Sequence, residues 1–188
     1  VYKRQPWGSK QNTDMFWDRD LSPYGATVDW KISKNYAFYI AHLLPLDGQS
    51  DTIGNMNIIQ WQMTFNWNDM KVVIMPWWVD YTGETGAEFA TRDTGFDNQF
   101  IRLSSYIQNG PWRFGVDLGR STLNDNEIPN AQFQDQKDSY AFEIRHGGMK
   151  KKGDILSQFR VFRVENYSVI KEFAQNAVSR FTTNNLQG

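Results

Sequence analysis

Charged and amide side chains recur at every second position along several segments of the chain. Asp29 and Lys31 are two positions apart, and Glu143 and Arg145 repeat that spacing. Because alternate side chains of a β-strand point to the same side, such groups would line one face of a sheet. No covalent chemistry follows from them, but they set the electric field that an ion or polar solute meets. The residues predicted to line a pore in this way are Asp29, Lys31, Gln60, Gln62, Arg102, Arg113, Asp117, Glu143, Arg145 and Arg160.

Catalytic patterns are absent from the 188-residue sequence. The chain contains no cysteine, which excludes disulfides, zinc–thiolate sites and thiol catalysis. His42 and His146 have no second histidine nearby in sequence, so we treat them as ordinary strand residues rather than metal ligands or general bases. No phosphate-binding loop, nucleophile elbow or zinc-hydrolase helix occurs, and a net charge of −1 predicts no nucleic-acid partner. We therefore predict a protein that is not an enzyme and needs no cofactor.

Two groups of acidic residues lie in segments predicted to be loops. Asp14, Asp18 and Asp20 form one group, and Asp47 and Asp51 form the other. Oxygen-rich loops suit calcium, but neither group has the spacing of a calcium loop, so solvated loop charge is the simpler interpretation. Alternatively, Asp18 and Asp20 fold inward and narrow a pore. The prediction for a metal site is none.

Period-two alternation of apolar and polar residues predicts eight β-strands. The alternation is cleanest at 24–33, 58–67, 112–119 and 140–147, and weaker at 36–45, 70–81, 99–108 and 154–164. Pro76 lies inside the sixth of these ranges and cannot donate a ladder hydrogen bond, which predicts a bulge or a kink.

Short and long connections alternate along the chain. The short ones are predicted at 34–35, 68–69, 109–111 and 148–153, and the long ones at 46–57, 82–98 and 120–138. Transmembrane barrels have this asymmetry, with short periplasmic turns and long extracellular loops. We therefore predict an all-β, antiparallel up-and-down transmembrane β-barrel of which about eight strands are present.

A helical pattern follows the eighth strand. Apolar residues recur at i+4 within 168–181, which predicts a short amphipathic loop helix with Ser168 as its cap. The helix either folds inward, where Phe173 would help to constrict the pore, or packs as a lid on neighbouring loops. The basic run Lys150, Lys151 and Lys152 is interpreted as a solvated turn, with a phosphate or lipid-headgroup contact as the alternative.

The apolar positions of the strands are predicted to face lipid. They are Val28, Trp30, Trp61, Met63, Phe65, Phe114, Val116, Phe142 and Ile144. Aromatic residues near the strand ends would form girdles at the membrane surfaces. Those residues are Trp7, Trp17, Tyr24, Trp67, Trp77, Trp112 and Tyr140.

Two segments resemble a porin family of Gram-negative outer membranes. The sequence FWDRDLSPYG at 16–25 is similar to a family motif in which a Trp-Asp-x-Asp-Leu loop leads into a strand that opens with glycine. The sequence FRVENY at 162–167, followed by 174–182, resembles an aromatic strand that enters a loop with a short helix and a Phe-Thr element, here Phe181 and Thr182. The resemblance implies a single-chain barrel for passive diffusion of small solutes.

Both ends of the sequence are interpreted as artificial. The first five residues, VYKRQ, look like a translated sequencing adapter, and the last residues stop within a polar stretch. We expect residues 6–188 to be a partial barrel domain, about half of a larger barrel. The full protein would reside in a bacterial outer membrane, contact its lipids and lipopolysaccharide, and assemble as a homotrimer.

A secreted all-β carbohydrate-binding module is the competing hypothesis. It would use exposed Trp77 and Trp78 to stack on sugars. A chain that purifies without detergent would favour the binding module, and one that needs detergent would favour the channel.

Overall fold

In the computed structural model, most of the described residues lie in β-strands. The described residues are 24–44, 54–83, 98–128, 131–148, 150–165, 167–169 and 186–187. The predicted adapter segment, the aspartates at 14, 18, 20, 47 and 51, and Phe173 all lie outside these ranges. So do Trp7, Trp17 and most of the predicted helix.

The strands form one antiparallel sheet in chain order. They are β1 (Tyr24–Lys31), β2 (Tyr36–Leu44), β3 (Gly54–Trp67), β4 (Met70–Gly83), β5 (Asn98–Asn109), β6 (Trp112–Ser121), β7 (Asp138–Gly147), β8 (Leu156–Val164) and β9 (Leu186–Gln187). The first eight confirm the predicted all-β, up-and-down arrangement, while the two-residue β9 was not predicted. Among the described strands the sheet does not close on itself, and β1 and β9 are its edges.

The described residues contain two single-turn 3-10 helices and no α-helix. These helices, Asp125–Glu127 and Ala131–Phe133, lie in the long connection between β6 and β7. Ser168 and Val169 form a bend, and the Ser168 amide and hydroxyl both donate to the Glu165 carbonyl. The remainder of the predicted helix lies outside the described residues. No helix in the described part of the chain is long and apolar enough to cross a bilayer.

Two of the short connections between strands are two-residue turns. Asn68 and Asp69 join β3 to β4, and Asn68 has a positive φ of 52°. Gly110 and Pro111 join β5 to β6, with φ of 54° at the glycine. Residues with positive φ suit two-residue hairpin loops because their backbone twist matches that of the strands.

Each pair of neighbouring strands from β1 to β8 keeps a single register. Of the two alternatives predicted at Pro76, a bulge or a kink, the bulge is wrong, because the register between β3 and β4 is the same on both sides of it. Pairing of β3 with β4 lapses between Gln60↔Trp77 and Met63↔Ile74, with two residues skipped on each strand. On its other side Pro76 pairs with Leu103. A missing N–H therefore interrupts one ladder without adding a residue, and the alternation of side chains is unchanged across it.

The sheet has two unlike faces. Side chains of the outer face are apolar and exposed, with Trp30 62% and Phe114 47% exposed. Side chains of the inner face are largely buried. Over β3, β4 and the start of β5 the inner face is a hydrophobic cluster that includes Ile58, Val79 and Phe100. Val169, from the segment after β8, joins the same cluster.

Candidate functional site

The ten residues predicted to line a pore all lie on the inner face of the sheet. The register places them in rows across the strands, for example Arg113↔Arg145 and Glu143↔Arg160. They fall into two groups. Asp29, Lys31, Gln60 and Gln62 lie on β1 and β3, and the other six lie on β5 to β8. The apolar inner residues of β4 separate the groups, so the structure does not bring all ten together.

Arg102 and Asp117 form a buried ion pair near the middle of the inner face. Arg102 Nη2 lies 3.0 Å from Asp117 Oδ1, and the two side chains are 1% exposed each. Ser104 donates to the same carboxylate oxygen at 3.3 Å, and Arg102 Nη1 donates to Ser139 Oγ at 3.3 Å. Removing water from a charged pair is costly, so good geometry and added hydrogen bonds are needed to retain it.

Gly119 leaves the space that the Arg102 guanidinium occupies. A Cβ atom built on Gly119 would overlap the guanidinium of Arg102 and the hydroxyl of Ser139. Only glycine leaves room for the arginine to cross the strand here. Asp117 and Gly119, two positions apart on β6, therefore both contribute to the same ion pair: Asp117 supplies the carboxylate and Gly119 leaves space for Arg102.

Glu143 is the centre of a second charged cluster. Its carboxylate accepts from Arg160 Nη2 at 2.6 Å, from Gln158 Nε2 at 2.9 Å and from Arg145 Nη2 at 3.1 Å. The Glu143 side chain is 2% exposed, while the Arg145 and Arg160 side chains are 20% and 15% exposed. One carboxylate thus orients two guanidinium groups that are nearer to solvent, and the triad carries a net charge of +1.

Arg113 and Arg145 face each other across neighbouring strands. They are register partners on the inner face. The Arg113 guanidinium carbon lies 4.0 Å from the centre of the Tyr106 ring, which is a cation–π contact. Both side chains line a cleft of about 590 Å³ at the end of the sheet where the short turns lie. Gly110, Lys150 and Asp154 also line it.

The inner-face polar residues of β3 form a less charged group. Gln62 donates to Thr64 Oγ1 at 3.3 Å and accepts from the Tyr39 hydroxyl at 3.4 Å. Gln60 is 4% exposed, and its Nε2 has no hydrogen-bond partner among the described residues. Asp29 and Lys31, on the edge strand β1, are exposed.

The outer face is an apolar band with a polar border. On the side of the long connections, His42 Nδ1 lies 2.8 Å from Asn57 Oδ1, Asn57 donates to Asp80 Oδ2 at 3.5 Å, and Gln99 donates to Asp80 Oδ1 at 3.0 Å. These residues occupy neighbouring strands from β2 to β5. Arg120 and Asp138 pair at 3.4 Å on β6 and β7. The border thus spans six adjacent strands.

The residues predicted to face lipid all lie on the outer face. Trp67, Trp112 and Tyr140, three of the predicted girdle residues, are also exposed there. Trp77 is 3% exposed on the inner face, so its assignment to a girdle is wrong. Both faces of β4 are apolar, and alternation could not tell which one Trp77 occupies.

Aromatic stacking on the outer face was not predicted. The ring centroids of Phe38 and Trp61 are 5.5 Å apart and the rings are nearly parallel, and Trp30 lies 6.5 Å from Phe38. The three residues are register partners on β1, β2 and β3. This row of rings forms through the pairing of the three strands, and that pairing could not be predicted from the sequence.

The geometry of Trp77 and Trp78 bears on the carbohydrate-binding hypothesis. The two residues are adjacent in β4, so their side chains point to opposite faces, and Trp77 is buried. They cannot form one exposed platform for a sugar.

Other sequence features have ordinary structural surroundings. His146 packs on Trp112, with ring centroids 4.3 Å apart. Lys150 and Lys151 are exposed in a turn, where their amides donate to Asp154 Oδ2 at 2.8 and 2.9 Å. Within the described ranges, no group of three or more histidine and acidic residues could hold a metal ion.

The fold and the site define an all-β protein whose single meandering sheet has an exposed apolar face and a charged, largely buried one. No family model, curated protein or solved structure matches the chain.

Proposed function

We propose that this chain is part of an outer-membrane, porin-type channel for passive diffusion of small hydrophilic solutes or ions. The observation that carries the proposal is the outer face, where large apolar side chains are exposed on seven of the eight strands β1 to β8. On the remaining strand, β4, the outer apolar side chains are half-buried. Water-soluble monomers rarely expose contiguous apolar patches larger than about a few hundred Å². Lipid is the occupant that this face fits.

The shape and border of the apolar band support lipid as its occupant. A bilayer is crossed by strands of about 9–11 residues, and β3 and β4 have 14 residues each. The band ends at the hydrogen-bonded row that begins with His42 and Asn57, where polar groups would meet lipid headgroups. At the opposite edge, Trp67 and Trp112 are exposed, as interfacial aromatic residues are.

Closure of the sheet is part of the proposal. Backbone groups in lipid must be paired, so a sheet can span a bilayer only as a closed barrel. The nine described strands leave two edges, and further strands would have to pair with them. The inner face would then surround the solute path, in which Arg113, Arg145 and Arg160 are the half-buried charges.

Within such a channel the Arg102–Asp117 pair and the Glu143 cluster would have different roles. Arg102 and Asp117 are almost wholly buried and pair with each other. Buried Glu143 binds Arg145 and Arg160. Arg102, Asp117 and Glu143 would therefore hold the wall together. Arg145 and Arg160 keep part of their surface accessible and would act on passing solutes. No bond is made or broken, and the protein would need no cofactor.

Conductance in planar bilayers tests this proposal. We expect the detergent-purified chain to insert and produce discrete current steps in salt solution. The matched control is the Val116→Arg variant, in which a charge lies on the apolar band, and it should insert less often. A protein that purifies without detergent and produces no current steps would contradict the channel.

A further inference from the structure

We infer that the cleft between Arg113 and Arg145 is a binding site for a small oxyanion. This inference rests on the proposed function only for its role in transport, where it would place an anion-attracting site at one mouth of the solute path. The site itself is argued from the inner-face geometry at the short-turn end.

The first observation is the direct opposition of two like charges. Arg113 on β6 and Arg145 on β7 are register partners, and both point to the inner face. Like charges directly opposite each other on a sheet are destabilising. An anion between the two guanidinium groups would remove that repulsion and accept hydrogen bonds from both.

The second observation is that both guanidinium groups are already oriented. The Tyr106 ring lies under Arg113 at 4.0 Å. Glu143 lies 2.5 Å from Arg145 Nε and 3.1 Å from its Nη2. A guanidinium held in one plane loses less entropy when it binds an oxyanion. Because Glu143 takes up the Nε–Nη2 edge of Arg145, an oxyanion would bind the remaining N–H groups of that side chain.

The third observation is the charge and size of the cleft. Its lining includes three cations, Arg113, Arg145 and Lys150, and one carboxylate, Asp154, which leaves a balance of +2. The Asp154 carboxylate accepts hydrogen bonds from two backbone amides of the turn. These bonds direct the carboxylate toward the turn. A volume of about 590 Å³ has room for an oxyanion together with water.

The ligand class follows from the donor set. Guanidinium groups bind phosphate and carboxylate oxygens through paired N–H donors, whereas chloride uses no such fork. The site should therefore prefer inorganic phosphate or a small carboxylate to chloride. A free phosphate and a lipid phosphate share this chemistry, and the inward position of the cleft favours the free ion.

Phosphate titration of the detergent-folded full chain tests the site. We expect saturable binding of inorganic phosphate by calorimetry in a chloride buffer. Arg113→Gln and Arg145→Gln should each weaken binding about tenfold, because each removes a charged donor pair. Lys150→Gln, an exposed turn position that folding tolerates, should cause a smaller loss. Arg113→Lys should retain more affinity than Arg113→Gln.

The controls separate this site from general charge and from channel function. Arg120→Gln and Arg163→Gln, on the outer face, should leave the affinity for phosphate unchanged. Equal losses from inner and outer variants, or unchanged binding in both Arg113→Gln and Lys150→Gln, would overturn the site. Current steps without phosphate binding would overturn the site alone. Phosphate binding without current steps would overturn the channel alone. Dilauroyl phosphatidic acid vesicles that compete with free phosphate would overturn the assignment to a free ion.

Discussion

Replacing Val116 by arginine is expected to destabilise the bilayer-folded protein by about 2–4 kcal/mol, the cost of a basic side chain at mid-depth on a lipid face. Val116 lies in the middle of the outer band, in a row with Ile74 and Phe142. The free energy of unfolding from phospholipid vesicles, measured by urea titration, checks the value.

The control for this substitution has to be chosen from the structure. Gly115, the neighbour on β6, is a poor control because it is buried, and a Cβ atom there would meet the Glu143 side chain at 3.7 Å. Asn66 is exposed on the inner face of β3 and is not part of either charged cluster. Asn66→Arg should therefore cost less than about 1 kcal/mol. Similar losses from Val116→Arg and Asn66→Arg would contradict the assignment of the faces.

Breaking the Arg102–Asp117 ion pair is expected to have the second large effect. Asp117→Leu should cost about 3–5 kcal/mol, because it leaves a buried guanidinium without its carboxylate. The double variant Arg102→Met with Asp117→Leu should recover most of that loss, since no charge then stays buried. The free energies of unfolding of Asp117→Leu, Arg102→Met and the double variant are measured by urea titration in detergent micelles.

The double-variant cycle distinguishes a buried pair from two separate polar contacts. A coupling energy of about 2 kcal/mol or more between Arg102 and Asp117 is expected for charges so fully removed from water. The surface pair Arg120 and Asp138, whose side chains are 65% and 50% exposed, is the matched control and should couple by about 0.2–1 kcal/mol. Additive losses at Arg102 and Asp117 would contradict the buried ion pair.

The strands could be predicted from the sequence because alternation is a local property. The faces of β6, with Phe114 and Val116 on one side and Arg113 and Asp117 on the other, follow from period two alone. The tight turns at Asn68 and Gly110 are local as well, since each combines a short polar link with a residue that accepts positive φ.

The pairings between distant residues could not be predicted. Arg102 and Asp117 meet only because β5 and β6 pair with a fixed register. Four cross-strand residues that complete the charged clusters were missed, since serine, tyrosine and glutamine are common on any strand. They are Ser104, Tyr106, Ser139 and Gln158. Gly119 gave one weak signal, a glycine at an inward position of a strand, which often marks close approach of another group.

The inner face shows where period two fails as a guide. In β4 both faces are apolar, so alternation could not distinguish Trp77 from Trp78. The burial of Val79 and Tyr81 in a hydrophobic cluster means that the inner face is not uniformly polar.

Site-directed spin labelling tests the central claim, that one face of this sheet meets lipid and the other meets water. Because the chain has no cysteine, a single label can be introduced at Phe159, which is 64% exposed on the outer face, or at adjacent Gln158, exposed on the inner face. In lipid vesicles, we expect oxygen to relax the label at 159 and an aqueous nickel chelate to relax the label at 158. Labels at both positions that respond only to the aqueous chelate would contradict the account.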